Sequence, residues 1–456
     1  MESVISTRKE FFGQIVKLTM PIVIQNLLSA AVNSADVIML NSVGQSAISA
    51  VSLASQYAHI LFMFFYGLGT GVTMLGAQYW GKKDVHAIEL TTGIAYRFAI
   101  LVSTAFLGLA LFFPTTLMCI FTNDPELISL GATYLRIVCF SYVFWSISEV
   151  YLSSLRSVER VGISTALNAL ALGLNVILNA VFIYGIFGAP KMGVAGVALA
   201  TSISRAVQLL CCLFVSARSK NVKMRFSYIF VHNKILFKDF INLSMPAVLN
   251  DLVWGVAFST YSVILGHLGS DMVAANSIVV VIRNFATTFC FALGSASTIW
   301  IGKEIGRGNM KGAEKDASRL LWLTVAAGII GGIFVLLISP FVIKHASLTE
   351  QAMHYLKYML YINSYYVLGT AVNTTLIAGI FRAGGDSKFG LKCDLIDMWC
   401  YAVPLGFIAA FVLKLPHLVV YFLLCTDEFV KWPWVIRRYR SKKWLNNITK
   451  DYEKTA

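Results

Sequence analysis

The sequence predicts an all-α integral membrane protein of about twelve transmembrane helices, arranged as two parallel repeats of six. Three observations carry this. Apolar stretches long enough to cross a bilayer recur about twelve times between residues 15 and 435, with short polar breaks between them. The 456 residues are 57% hydrophobic and 13% charged, with a mean hydropathy of +0.71; a soluble domain carries about 25% charged residues. Finally, the two halves of the chain match each other in register. Helices are the expected spanning element, since only helices and closed barrels satisfy their own backbone in hydrocarbon.

In chain order the spans read 13–40, 48–73, 91–113, 132–153, 164–186 and 193–216, then 241–266, 272–300, 317–343, 354–381, 389–412 and 416–438. The longest polar stretch, 219–239, divides them. The domain reading is an N-terminal lobe over 1–218, a cytoplasmic linker over 219–239, a C-terminal lobe over 240–440 and a cytoplasmic tail over 441–456. Residues 1–12 mix Glu2, Arg8, Lys9 and Glu10 and lack the basic-then-apolar pattern of a removable leader, so span 1 is expected to direct its own insertion.

The net charge of +14 does not read as a nucleic-acid footprint, because the basic residues sort by membrane side. One set of breaks holds Arg8 and Lys9, Lys82 and Lys83, Arg156 and Arg160, the 218–238 cluster, Lys303 to Lys315, Arg382 with Lys388, and the tail from Arg437. The alternate breaks hold only Lys191, Lys344 and Lys414. The positive-inside rule puts the basic set, with both termini, in the cytoplasm. Termini on one side require an even number of spans.

The eight cysteines lie in or beside apolar runs without CxxC or metal spacing, and read as buried reduced thiols. Sliding the second half back by 225 positions sets Leu18, Met20 and Pro21 on Leu243, Met245 and Pro246. Gly44 then meets Gly269, Gly69 meets Gly294 and Gly81 meets Gly306. One further position sets Arg156 on Arg382 and Asn168 on Asp394. Repeats with an even number of spans keep their orientation, and such symmetry is typical of transporters that rock two bundles about a central cavity.

Polar side chains inside spans are costly, and mark bundle interiors or aqueous paths. In span 1, Asn26, Ser29, Asn33 and Asp36 share one helical face; in span 5, Asn168, Asn175 and Asn179 share another. Thr201 lies in span 6 at a depth similar to Asp36 and Asn179, within about 6 Å at 1.5 Å per residue. One carboxylate, two amides and a hydroxyl would suit a proton relay or a monovalent cation; the competing reading is a packing device between helices. The second half carries Asp251, Arg283, Asp394, Asp397, Asp427 and Glu428. Arg283 needs a carboxylate neighbour, either as an internal ion pair or as a substrate contact. Trp254, Phe258 and Tyr261 follow Asp251 at helical spacing, as cavity lining for flat cations or as core packing. Prolines 21, 246 and 404 bend helices and free carbonyls. Gly384-Gly385 is a turn rather than a phosphate cradle, and no nucleotide-binding motif appears.

Several segments together resemble the multidrug and toxic compound extrusion (MATE) family: Pro21 with Asp36, residues 78–84, Asn175-Val176-Ile177-Leu178-Asn179 leading into 193–201, and 382–389 with Pro404. The resemblance covers essentially the whole chain. It implies a V-shaped, twelve-helix antiporter that exports amphiphilic, cationic compounds in exchange for protons or sodium. It assigns the coupling ion to Asp36, Asn175 and Thr201. Asn179 stands where some relatives carry an acid, which leaves Asp36 as the sole carboxylate of that cluster, an arrangement compatible with protons. Trp254 and Ala371 occupy the positions of the second-lobe acids of NorM-like relatives, and Asp251 is the substitute considered.

The site reading is thus Asp36, Asn175, Asn179 and Thr201 for the coupling ion, and Asn33, Asp251, Trp254, Tyr261 and Arg283 for the substrate cavity. No cofactor is expected beyond that ion, no metal beyond sodium at Asp36, and no enzymatic activity. The expected partners are a small amphiphilic substrate and the lipid bilayer, with no nucleic acid; the chain is expected to act as a monomer in a bacterial-type cell membrane. The runner-up is a lipid-linked oligosaccharide flippase of the same superfamily, which would line its cavity with Arg and Lys for pyrophosphate. Few basic residues lie deep in these spans.

The charge asymmetry makes a topological prediction. With native thiols blocked, Ser219→Cys should label only from the cytoplasm, and Ser42→Cys and Thr122→Cys only from the opposite side. Tags on both termini should report the cytoplasm; a C-terminal tag on the far side would overturn the twelve-span topology.

Overall fold

The computed structural model describes residues 7–231, 233–346 and 348–451. Among them every regular element is helical: α1 Arg8–Asn41, α2 Gln45–Lys82, α3 Val85–Phe112, the short α4 Pro114–Cys119, α5 Pro125–Ser157, α6 Val161–Tyr184 and α7 Gly193–Arg218. The second half follows with α8 Lys234–His267, α9 Ser270–Gly306, α10 Met310–His345 and α11 Glu350–Asn373. Then come α12 Ser387–Asp394, α13 Val403–Phe407, α14 His417–Leu424, α15 Asp427–Val430 and α16 Trp432–Arg440. Eleven continuous helices among the described residues are long and apolar enough to cross a membrane.

The expected twelfth span, 416–438, differs from its reading. It is broken into α14, α15 and α16. The interruption falls where Asp427, Glu428 and Lys431 concentrate charge in the chain and where Pro433 withholds a backbone donor. Helix α11 runs on through wide π-type turns over Thr374–Phe381, and α12 joins α13 through another such stretch, Leu395–Ala402. Pro404 lies just beyond the latter: it offers no N–H to the carbonyl of Cys400, and its ring crowds that turn.

The chain forms two compact units. An N-terminal unit comprises Ile24–Ile241 with the described end of the tail, and a C-terminal unit comprises the first part of α1, up to Val23, with Asn242–Thr449. The unit boundaries therefore fall inside α1 and α8, not at the polar linker, and each lies within a few residues of a helix-interior proline, Pro21 or Pro246. Asn233, at the start of α8, caps the helix by accepting from Leu236 N–H at 3.0 Å.

The internal repeat is visible in the local backbone. Gly44 and Gly269 precede α2 and α9 at φ of 135° and 121°, a region closed to residues with a Cβ. Asp84 caps α3 by accepting from Ala87 N–H at 2.9 Å, and its counterpart Asn309 caps α10 through Gly312 N–H at 3.1 Å. Both halves also use close helix approach. A Cβ on Gly69 would stand 2.4 Å from Ser153 Oγ, and in the other half a Cβ on Gly379 would stand 2.9 Å from Gly294 O.

Without a hydrophobic drive between helices in lipid, such small-residue contacts are a main source of packing energy. The α10–α11 seam shows a backbone case: a Cβ on Gly332 would lie 2.3 Å from the backbone oxygen of Ser364, and one on Gly328 would lie 3.0 Å from Ala371 Cβ. Gly332→Ala is expected to destabilise the protein by about 1–3 kcal/mol, the usual cost of overpacking. Gly13→Ala, with nothing within 4 Å of the added carbon, should be near neutral. Thermal unfolding of the two variants in detergent checks this, and equal midpoints would remove the close-packing assignment.

Candidate functional site

The N-terminal unit brings four of the sequence-selected residues into one chain of hydrogen bonds. Asn179 Nδ2 donates to Asp36 Oδ1 at 2.7 Å and to Asn175 Oδ1 at 3.3 Å. Asn175 Nδ2 donates to Thr201 Oγ1 at 3.2 Å, and Thr201 returns its proton to Val197 O at 3.0 Å. The spacing of four between Asn175 and Asn179 stacks them on one face of α6, so that α1, α6 and α7 each supply a rung. Asn175 and Asn179 are buried, while Asp36 and Thr201 keep partial exposure.

Asp36 has no ion pair among the described residues, and Asn179 Oδ1 is buried with no hydrogen-bond partner among them. One amide donor therefore stands beside the carboxylate, and unmatched oxygens remain. Such a set can take a proton on Asp36 or hold a small cation by oxygen donors, the ligand type that hard cations require. Tyr134, buried on α5, extends the site toward Ser55 and Thr201 and lies within electrostatic reach of Asp36. The sequence reading missed Tyr134; a tyrosine on an apolar helix carries no spacing signal of its own. Asn168, selected on the same face of α6, lies apart, accepting from Gln208 Nε2 at 3.2 Å. The side chain of Asn33 lies outside the described part of the structure.

The residues selected in the C-terminal unit divide differently. Asp251 is ion-paired through one oxygen: Arg382 Nη2 donates to Asp251 Oδ1 at 2.7 Å and to Asn250 Oδ1 at 2.9 Å, while Asp251 Oδ2 has no hydrogen bond among the described residues. Arg382 is 3% exposed. Its appearance in the sequence as a turn residue gave no sign of this pairing, because the partner comes from α8, 131 positions away.

Arg283 corrects its expectation. It forms no carboxylate pair among the described residues; its guanidinium instead lies 5.1 Å from the Phe258 ring centre and 5.6 Å from that of Tyr366. Two aromatic faces and partial exposure meet the need that a carboxylate was expected to meet. Phe258 also stacks against Trp254 at 4.3 Å and Tyr261 at 5.4 Å, so the aromatic stripe is a continuous cluster with Arg283 on it. Tyr261 faces inward, its hydroxyl donating to Asp427 Oδ2 at 3.1 Å.

The Asp251–Arg382 pair has a direct test. Removing one partner of a buried ion pair leaves an uncompensated charge, at a cost of about 3–5 kcal/mol. Arg382→Met is expected to lose stability on this scale, and adding Asp251→Asn should restore part of it. Chemical denaturation of the two variants checks the coupling; a double variant no more stable than the single one would show that the pair does not act as a unit.

Comparisons with known proteins bear on the whole chain. The MatE family model matches residues 21–181 and again 246–408, one match in each half. The "Uncharacterized transporter YisQ" of Bacillus subtilis is 23% identical over 94% of this chain and 94% of its own length. The "Probable multidrug resistance protein YoeA" of the same organism is 26% identical over 83% of this chain and 82% of its own length. The "Multidrug resistance protein NorM" of Vibrio cholerae is 24% identical over 88% of both chains. Among solved structures, one described as the outward-facing conformation of a multidrug resistance MATE family transporter superposes with a TM-score of 0.85 at 19% identity, covering 97% of this chain and 99% of the other. A Pyrococcus furiosus transporter described as having a binding pocket of reverse polarity gives a TM-score of 0.84 at 19% identity, covering 94% and 96%. These structures share the all-helical fold. With family matches over most of both halves and eleven apolar helices, the chain belongs to the MatE family of multi-pass membrane transporters, which are not enzymes.

Proposed function

We propose that this protein is a secondary active exporter of amphiphilic, cationic compounds, driven by exchange for protons or sodium at Asp36. The observation that carries the reading is the isolation of Asp36: a carboxylate within a span, hydrogen-bonded by Asn179 and without an ion pair among the described residues. Relatives named as multidrug resistance proteins support the transport class.

An ionised carboxylate removed from water is costly, and the cost falls when a proton or sodium ion neutralises it. Asn175, Asn179 and Thr201 supply hydrogen bonds or oxygen ligands but carry no charge of their own. The cluster therefore alternates between a neutral, ion-loaded state and an anionic state. A bound ion shifts the conformational balance only by its difference in affinity between two arrangements of the helices. In the C-terminal unit, the partly exposed ring of Trp254 offers a face for flat lipophilic cations. Arg283 sets a positive charge beside Phe258.

Asp36→Asn keeps the size of the side chain and removes its titration. With ethidium as the probe, uptake into inverted vesicles under separately imposed proton and sodium gradients should fall to background in the variant at matched expression. Wild type should respond to one gradient and transport ethidium in preference to an anionic dye. Near-normal gradient-driven transport by the variant would place coupling elsewhere.

A further inference from the structure

The C-terminal unit buries more negative than positive charge. Asp394, Asp397, Asp427 and Glu428 are 6%, 0%, 0% and 3% exposed, and Lys431, beside them, is 2% exposed. The Lys431 ammonium stands 3.2 Å from Asp394 Oδ1, 3.3 Å from Glu428 Oε2 and 3.5 Å from Asp397 Oδ2. Four carboxylates against one ammonium leave three negative charges uncompensated when all are ionised. An uncompensated buried ion costs several kcal/mol.

Among the described residues, the other packed elements give the cluster hydrogen bonds and no further ion pair. From α8, Asn250 donates to Asp394 at 2.6 Å and Tyr261 donates to Asp427 at 3.1 Å. From α11, Asn373 donates to the Glu428 carboxylate at 2.5 Å. Arg382 is engaged with Asp251, and Arg283 with aromatic rings. The neighbouring Cys393, Cys425, Tyr365 and Tyr366 are groups that are neutral near pH 7 in their ordinary range.

Two further observations separate the cluster from an ordinary salt bridge. Both oxygens of fully buried Asp397 lack a hydrogen bond among the described residues, and so does Asn373 Oδ1. An ionised Asp397 would have only the 3.5 Å ammonium contact, whereas a protonated one is a neutral donor facing unmatched acceptors. The chain is also broken here, between α14 and α16, and irregular backbone at membrane depth occurs where it is buried in protein or lines a polar path.

The repeat register gives the cluster a counterpart. At the offset of 225 Asp36 falls on Tyr261, and at the 226 of the later spans Thr201 falls on Asp427. In one half the acid is on the first helix of the repeat and the neutral hydroxyl on the last; in the other half these chemistries are exchanged.

We propose that Asp397 and Asp427, beside the Lys431 ion pairs, form a proton-binding site of the C-terminal unit, distinct from Asp36. Each uptake forms one O–H bond on a carboxylate oxygen and discharges one negative charge; no electrons move. Protons are favoured over a metal ion because the Lys431 ammonium already occupies the point where three carboxylates converge, and would repel a second cation.

The test is infrared spectroscopy of the full-length protein in liposomes at neutral pH, following the deuterium-sensitive carbonyl band of protonated carboxylic acids. Wild type is expected to show this band. Asp397→Asn and Asp427→Asn should each lose part of it and the double variant most of it, while Asp36→Asn should leave that portion intact. Lys431→Met, if it folds, should enlarge the band, because loss of the ammonium forces a further carboxyl to take up a proton. Replacing choline chloride by sodium chloride at fixed pH should leave the band unchanged. Absence of the band in wild type, or an unchanged band in both monodisperse Asn variants, would overturn the site. Its loss on adding sodium would overturn the proton assignment. Because neither result depends on transport by Asp36, failure here is distinguishable from failure of the coupling reading.

Discussion

An ionised group within hydrocarbon has no water to stabilise it, so each charge must find a counter-charge, a set of hydrogen bonds, a proton or a path to solvent. This constraint organises the polar interior of the protein. Arg382 meets it with Asp251 and Asn250, Lys431 with three carboxylates, and Arg283 with aromatic faces. Asp36 meets it with a single amide donor, and Asp397 with no hydrogen bond among the described residues. Incomplete compensation at Asp36 and around Asp397 leaves room for chemistry at both places.

The same constraint acts on the backbone. Where helices run unbroken, every N–H and C=O is satisfied within the span. Proline removes a backbone donor; the helix widens just before Pro404 and is interrupted just before Pro433, while Pro21, Pro246 and Pro340 lie inside continuous helices. The widened turns around Pro404 and the interruption near Pro433 lie in the C-terminal half and flank its acidic cluster. In the N-terminal half, α6 and α7 are continuous, and they contribute two neutral amides and a hydroxyl to the site around Asp36. The repeats share a framework of glycines and caps but differ in how much charge they bury, and their helices differ in regularity accordingly.

Tight packing makes these arrangements specific. Glycine at 69, 76, 328, 332 and 379 lets backbones approach to distances that a Cβ would prevent, and dispersion is gained where lipid offers no hydrophobic advantage. Rungs such as Asn175 to Thr201 span neighbouring helices at hydrogen-bond distance because those helices are held close.

The sequence alone determined the class, the helices and their pairing into repeats, because apolar length, charge sidedness and glycine position are local properties that add along a chain. It also determined that Asp36, Asn175, Asn179 and Thr201 lie at one depth on inward faces, since helical periodicity converts spacing into direction. It did not determine partners. That Arg382 neutralises Asp251, that Arg283 rests on rings, and that Lys431 gathers three carboxylates were decided by tertiary structure. The sequence reading passed over Lys431 because a lysine near the end of an apolar run reads as a solvated flank. Only the broken twelfth span turns it inward. Ion pairing depends on which helices are neighbours, and that is a property of the packed bundle that no single segment carries.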